Sequence, residues 1–166
     1  MAERFGVRRA ASYELSYIMV TERMPGYDAF VGRWDETRHV QALNDERYAY
    51  FIAESDGDLV GFSIVQDWGA PERVTCVKRI AVSNPSNRVG RRLLTGVVDS
   101  IFRETDTFRV WLGVFPENQR AQRAYAAVGF IAEGVARGNL YFGGEYRDEL
   151  IMALLRTEWN AARYHH

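Results

Sequence analysis

Two stretches of this 166-residue chain gather side chains that could do chemistry. The first is Lys78-Arg-Ile-Ala-Val-Ser-Asn-Pro-Ser-Asn-Arg-Val-Gly-Arg-Arg-Leu-Leu94, a strand pattern that runs into a loop and opens an amphipathic helix. Such an arrangement turns free backbone N–H groups and the positive end of the helix dipole toward one point, where an anion fits. Gly90 permits close backbone approach, and Arg88, Arg91 and Arg92 supply charge for phosphate oxygens. The alternative is a solvated loop whose arginines face water. The stretch lacks both the Gly-Lys-Ser/Thr end of a P-loop and the three glycines of a dinucleotide fingerprint, so a nucleotide hydrolase is poorly supported. The second stretch, Asn118-Gln-Arg-Ala-Gln-Arg-Ala-Tyr125-Ala-Ala-Val-Gly-Phe130, starts a helix at Asn118 and closes it at Gly129. Asn118 would cap that helix or hydrogen-bond a ligand. Tyr125 lies two turns further along the same face, where its phenol can donate a proton. Its alternative is a core tyrosine on the apolar stripe of Ala121, Ala124 and Val128.

Other segments must position these two. Tyr48–Glu54 and Leu59–Val65 read as strands joined by a tight Asp56-Gly57 turn, and further strands are expected at about 73–82 and 108–115. Between the latter two, Leu93, Leu94, Val97, Val98, Ile101 and Phe102 recur on one helical face, which predicts a right-handed parallel crossover. Phe130–Val135 and Glu149–Leu155 read as a last strand pair, with Gly143-Gly144 in the turn region. The N-terminal third reads as helical near 11–23 and 35–44. The expectation is one α/β domain over residues 1–166, with a mixed, largely antiparallel sheet flanked by helices.

Composition narrows the function. Lys plus Arg number 21 and Asp plus Glu 22, so no bulk basic field favours nucleic acid or an anionic membrane surface. Cys76 is the only cysteine, which excludes an internal disulfide and a thiolate zinc cluster; with no metal-ligand spacing among His39, His165 and His166, no metal is expected. The N-terminus has no apolar leader pattern and no run is long enough to span a bilayer, so the cytoplasm is the expected compartment.

From about Tyr48 to Trp159 the chain resembles the GNAT superfamily of acetyl-CoA-dependent N-acetyltransferases. The pattern Asn118-x-Arg-Ala-x-x-x-Tyr125-x-x-x-Gly129-Phe130, then Glu133-Gly134, Gly144-x-Tyr146-x-Asp148, Met152 and Leu154-Leu155, resembles the branch that includes ribosomal-protein N-terminal acetyltransferases. The resemblance implies that Ile80, Ala81 and Val82 lie along the pantetheine of acetyl-CoA. It also implies that Arg88, Val89, Gly90, Arg91 and Arg92 hold the pyrophosphate. Asn118 and Ala121 would meet the pantetheine arm, and Tyr125 would protonate the departing thiolate. Two positions depart from the family pattern. At Pro85-Ser86-Asn87-Arg88-Val89-Gly90 the first glycine of the loop is replaced by Arg88, a costly residue if the position needs positive φ. The strand glutamate of many relatives falls near Cys76, and Lys78 and Arg79 are no substitute for a carboxylate.

A lysine-like amine of pKa about 10.4 needs roughly 4 to 5 kcal/mol to lose its proton at neutral pH, and an α-amine near 8 only about 1. The missing base therefore leans toward a low-pKa amine, with a water chain or Glu72 as proton acceptor. Tyr27, Phe30 and Trp34, together with Glu145, Asp148 and Glu149, could line an amine pocket, or could be core aromatics and a solvated hairpin. A Cys76–His39 nucleophile has no motif behind it, and a lone strand cysteine usually packs as a small hydrophobe. The expected activity is transfer of acetyl from acetyl-CoA by direct attack of a protein, peptide or small-molecule amine. Tyr125 is the expected general acid, beside Asn118. The competing class is a catalytically silent acyl-CoA-binding or regulatory domain, and exposed sheet edges would suit a homodimer.

Overall fold

The computed structural model describes residues 2–27, 31–85 and 88–164. In chain order the elements are β1 (Phe5–Arg9), α1 (Leu15–Glu22), α2 (Glu36–Leu43), β2 (Tyr48–Ser55), β3 (Asp58–Gln66), β4 (Val74–Val82) and α3 (Val89–Glu104). They continue as β5 (Arg109–Val114), α4 (Gln119–Val128), β6 (Ile131–Phe142), β7 (Glu145–Leu155) and α5 (Arg156–Tyr164). The strands form one sheet in the order β1-β2-β3-β4-β5-β7-β6, antiparallel everywhere except between β4 and β5. This is the mixed, mostly antiparallel α/β architecture that the sequence implies.

Local chemistry explains the central elements. Asp56 and Gly57 both take positive φ, at 51° and 88°, as a two-residue turn between right-twisted strands requires. Along β2, Ala49, Phe51 and Ala53 face one core with Leu93, Leu94, Val97, Val98, Ile101 and Phe102 of α3, while Tyr50 and Ile52 face a second core with Ile18 of α1 and Ala42 of α2. Both faces of β2 and β3 are therefore covered, which is why those strands read as nearly continuous apolar runs. The six α3 side chains are all at most 2% exposed. Burial of each stabilises the fold by about 1.5–3 kcal/mol before chain entropy is counted.

The structure adds three features that the sequence patterns do not announce. β1 is an edge strand at Phe5–Arg9, ahead of the first helical segment, where the sequence reading places no element. The last hairpin runs out to a turn at Gly143 and Gly144, well beyond Phe130–Val135 and Glu149–Leu155, because its outer half is exposed and carries no hydrophobic alternation. α5 docks by stacking Trp159 on Phe102 and donating the indole N–H to Asp99 at 2.8 Å.

One irregularity sets up the site. Ile64 pairs with Arg79 and Val65 with Val77, so Lys78 is an extra residue bulged out of β4. A bulge inverts the facing of the residues beyond it. Val77 lies in the α3 core, and Arg79, two positions on, reaches Glu22 of α1 on the opposite face.

Candidate active site where two strands part

The parallel β4–β5 ladder holds only at Val74–Arg109, Thr75–Val110 and Cys76–Trp111. Beyond it β4 stays with β3 and β5 with β7, so the sheet splits. On the β3 side, Ser83 N–H donates to Val60 O, and strand alternation then turns the main-chain groups of Val82 and Ile80 into the gap. Those groups are a ready edge for an extended, amide-bearing ligand. Two cavities occupy the opening, of about 940 and 310 Å³, and they share Val31, Ile80, Asn118 and Tyr125.

The larger cavity lies between the end of β4, the start of α3 and α4. Ile80, Ala81, Val82, Arg88, Gly90, Arg91, Asn118, Ala121 and Tyr125 all line it. Val89 does not; its side chain is buried in the α3 core. Arg92 points elsewhere too, to Glu3 at 2.7 Å and over the ring of Phe5. Arg88 stands at φ 56° and ψ 14°, the left-handed conformation that a glycine would adopt without cost, and its side chain makes no cap to the helix. The first-turn N–H groups of α3 are thus left for another acceptor. A Cβ on Gly90 would meet only Val82 Cγ1, at 3.8 Å, so the protein's own packing does not demand a glycine there. The Arg120 guanidinium ties α4 back to this loop by donating to the Pro85 carbonyl.

α4 carries the other half of that cavity. Asn118 Oδ1 accepts from Ala121 N at 3.2 Å, and Gly129 closes the helix at φ 118°. The Asn118 amide nitrogen has no acceptor among the described residues. None of α4 is fully buried: Ala121, Ala124, Tyr125 and Val128 are only half-covered, an apolar stripe that the protein leaves open. The Tyr125 hydroxyl has no hydrogen-bond partner among the described residues, and burial pushes the phenol up to about 12.

The smaller cavity opens on the α1/α2 face. Arg79 is buried there, donating to Glu22 Oε2 at 3.1 Å and lying over Trp34; burial pulls its guanidinium below the usual value and Glu22 opposes that pull. Glu22 is itself fully buried. It also receives Arg23 at 3.0 Å and meets His39 Nε2 at 2.6 Å, while His39 Nδ1 meets the Tyr50 hydroxyl at 2.7 Å. Lys78 is exposed, with no hydrogen-bond or ion-pair partner among the described residues. Glu149 completes the wall. Its carboxylate occupies the space that a side chain on Gly113 would need, 2.4 Å from where a Cβ would stand, and Asn139 Nδ2 donates to it at 2.9 Å.

Of the remaining candidates, Tyr27 lines the larger cavity and donates its hydroxyl to the Val82 carbonyl, and Trp34 lines the smaller. Glu72 is exposed and lines neither cavity. Asp148 accepts from Gly138 N at 2.8 Å, and Glu145 sits at the hairpin tip. Phe30, Ser86, Asn87, His165 and His166 lie outside the described residues. Burial raises the Cys76 thiol to about 12, which keeps it protonated and inert, and His39 is committed to Glu22 and Tyr50 instead. Glu22, Arg79 and Gly113 escape sequence reasoning. Only Gly113 leaves a trace, as a glycine inside a strand, which often marks close approach by another group.

A sequence model described as the Acetyltransferase (GNAT) family matches residues 16–130. A probable N-acetyltransferase of Bacillus subtilis, YjcK, is 36% identical over 119 residues, covering 69% of this chain and 65% of that protein. The ribosomal protein uS5 alanine N-acetyltransferase of Escherichia coli is 30% identical over 70 residues, 42% of this chain and 36% of its own. Among solved structures, spermidine N-acetyltransferase from Vibrio cholerae in complex with CoA and spermine superposes with a TM-score of 0.81 at 18% identity, over 94% of this chain and 98% of that one.

Proposed function

From a chain that belongs to the acetyltransferase (GNAT) family, and from the parting of its central strands, we propose a division of labour at the gap: acetyl-CoA in the larger cavity, the acceptor amine in the smaller, and chemistry at Tyr125 between them. The protein is an N-acetyltransferase that uses acetyl-CoA as its acetyl donor. The observation that carries the division is the β4–β5 ladder ending at Cys76–Trp111, which leaves β4 backbone free beside Asn118 and Tyr125.

The residues fit the donor. Main-chain groups of Ile80 and the Val82 N–H pair with the pantetheine amides as a missing strand would, the Val82 carbonyl being held by Tyr27, and the free Asn118 amide donates to the same arm. The first-turn amides of Val89, Gly90 and Arg91, with the Arg88 and Arg91 side chains, take the pyrophosphate. The open stripe of Ala121, Ala124 and Tyr125 is covered when the ligand arrives. Arg92, bound to Glu3, has at most a long-range electrostatic part.

On the acceptor side, Glu149 holds the ammonium and takes its proton, and the amine then attacks the thioester carbonyl directly. Direct attack follows from Cys76, whose protonated, buried thiol offers no covalent relay. Tyr125 supplies a proton to the thiolate as the carbon–sulfur bond breaks, and the second proton that the nitrogen sheds on becoming an amide restores the phenol. With the phenol near 12 and a free thiol near 8.5, full transfer to a finished thiolate would be uphill by about 5 kcal/mol, so donation must accompany departure. The acceptor class is an α-amine, a reading supported by the resemblance of the C-terminal half to the ribosomal-protein branch.

Titrating acetyl-CoA while following the melting temperature, then measuring thiol release with pooled amines, tests the reading. Binding at a hundred times the dissociation constant adds about 2.7 kcal/mol, several degrees for a chain of this length. An unmoved melting temperature overturns the donor site. A shift without thiol release from any amine identifies a silent acyl-CoA-binding domain instead.

A further inference from the structure

We infer that the acceptor carries a carboxylate as well as its amine, with the ammonium at Glu149 and the carboxylate at Lys78. This rests on the acetyl-transfer reading and deepens it. Among the described residues lining the smaller cavity, Glu149 is the single carboxylate, and Arg33, Lys78 and Arg79 are cations. Arg79 is answered by Glu22 at 3.1 Å and Arg33 has a partner of its own. Lys78 alone among the three has no hydrogen-bond or ion-pair partner among the described residues. The β4 bulge puts it there: the extra residue sets an exposed lysine into the wall of the smaller cavity. An unanswered ammonium lining the same cavity as a held carboxylate is complementary to a zwitterion, because each end of the ligand meets its opposite charge.

The same layout disfavours a polyamine. Once one ammonium has taken Glu149, a further ammonium meets Lys78, the one unanswered charge among the described lining residues, in a partly enclosed site where like charges are poorly screened. Two sources present the favoured chemistry: a free α-amino acid, and a peptide α-amine followed closely by an acidic side chain.

The experiment compares kcat/KM at saturating acetyl-CoA for free α-amino acids against their amides, for dipeptides with Asp against Asn in second place, and for spermidine. The carboxylate-bearing member should lead its pair by tenfold or more, and whichever pair shows the larger ratio names the source. In Lys78→Met, which keeps an apolar stem on an exposed position, that ratio should fall toward one; Lys78→Arg should retain it. Spermidine outperforming every carboxylate-bearing amine overturns the inference, as does a ratio that Lys78→Met leaves intact. If no amine turns over, calorimetric binding to the CoA complex is read instead, and equal affinity for acid and amide likewise overturns it. Loss of the acetyl-CoA melting shift would be a different failure, that of the donor site beneath.

Discussion

The two cavities that meet at Tyr125 are built in opposite ways. The larger cavity, which we propose for the donor, is drawn mostly from residues 80–85, 88–91 and 117–127, short strand-end and helix-start segments whose geometry is dictated by neighbouring residues. The acceptor cavity is assembled from pieces far apart in the chain: Gly32 and Trp34, Lys78 and Arg79, Gly113, and Glu149. Its shape depends on a bulge, a glycine in a strand and a buried carboxylate behind the wall. A local site can keep its chemistry while the fold around it varies; a dispersed site changes whenever any contributing element shifts. The donor side should therefore report what the family shares, and the acceptor side what is particular to this chain.

The largest expected effect falls where the cavities join. Tyr125→Phe keeps the ring on the α4 stripe and removes only a hydroxyl that has no partner among the described residues, so stability should change by less than about 1 kcal/mol. Turnover should fall by about 10²- to 10⁴-fold with acetyl-CoA affinity nearly unchanged. Full turnover would return Tyr125 to the role of a packing residue. The raised phenol adds a sign to test. A tyrosine of ordinary pKa is half ionised at about pH 10, whereas one near 12 is about 1% ionised there, so kcat/KM should show no alkaline fall through about pH 10. A descending limb centred near 10 would place the working acid in a wetter environment.

Much of the donor side is legible in the sequence because its signals are local. Asn118 and Gly129 bracket α4 as cap and terminator, and the α3 stripe has one helical period. Arg88 does adopt positive φ, at the loop position where the family pattern has glycine. The pairing of Glu22 with His39 is not legible. The two lie on different helices with no spacing rule between them, and only the packing of α1 and α2 against the bulged strand makes them partners. Glu149 is legible as one of three acidic residues, but which of the three faces the gap depends on the register of β7 against β5.

A pair of glycines sharpens the contrast. Gly113→Ala drives a methyl into the Glu149 carboxylate, whose contacts would lie at 2.4–2.9 Å; the side chain is the movable partner, so the fold should survive and the carboxylate should swing away. The expected result is about a tenfold loss in kcat/KM for the acceptor, at unchanged acetyl-CoA affinity. Gly90→Ala should do the reverse. Among the described residues beyond its own helical turn, its methyl meets nothing closer than Val82 Cγ1 at 3.8 Å, so acceptor kinetics at saturating donor should hold while acetyl-CoA binding weakens severalfold. Matching effects from the two variants would mean that the cavities are not functionally separate.

Arg88 is where charge and backbone strain meet at one residue, and a stability change of at most about 1 kcal/mol must be separated from a change in affinity. A non-glycine residue in the left-handed region costs roughly 1–2 kcal/mol, which glycine would remove, but glycine also loosens the unfolded chain by about 0.4–1 kcal/mol. The difference leaves Arg88→Gly more stable by roughly 0.5–1 kcal/mol, a rise of about 1–4 °C in the melting temperature of the apo protein. If the guanidinium meets phosphate, the same variant should bind acetyl-CoA about ten- to a hundredfold more weakly, since a charge-assisted contact contributes about 1.5–3 kcal/mol. Arg88→Ala separates the two effects: it keeps the strain and loses the charge, so it should share the affinity loss without the gain in stability. A stabilised Arg88→Gly that binds acetyl-CoA as well as the parent would instead mean that the arginine serves no phosphate and that the helix amides hold it unaided.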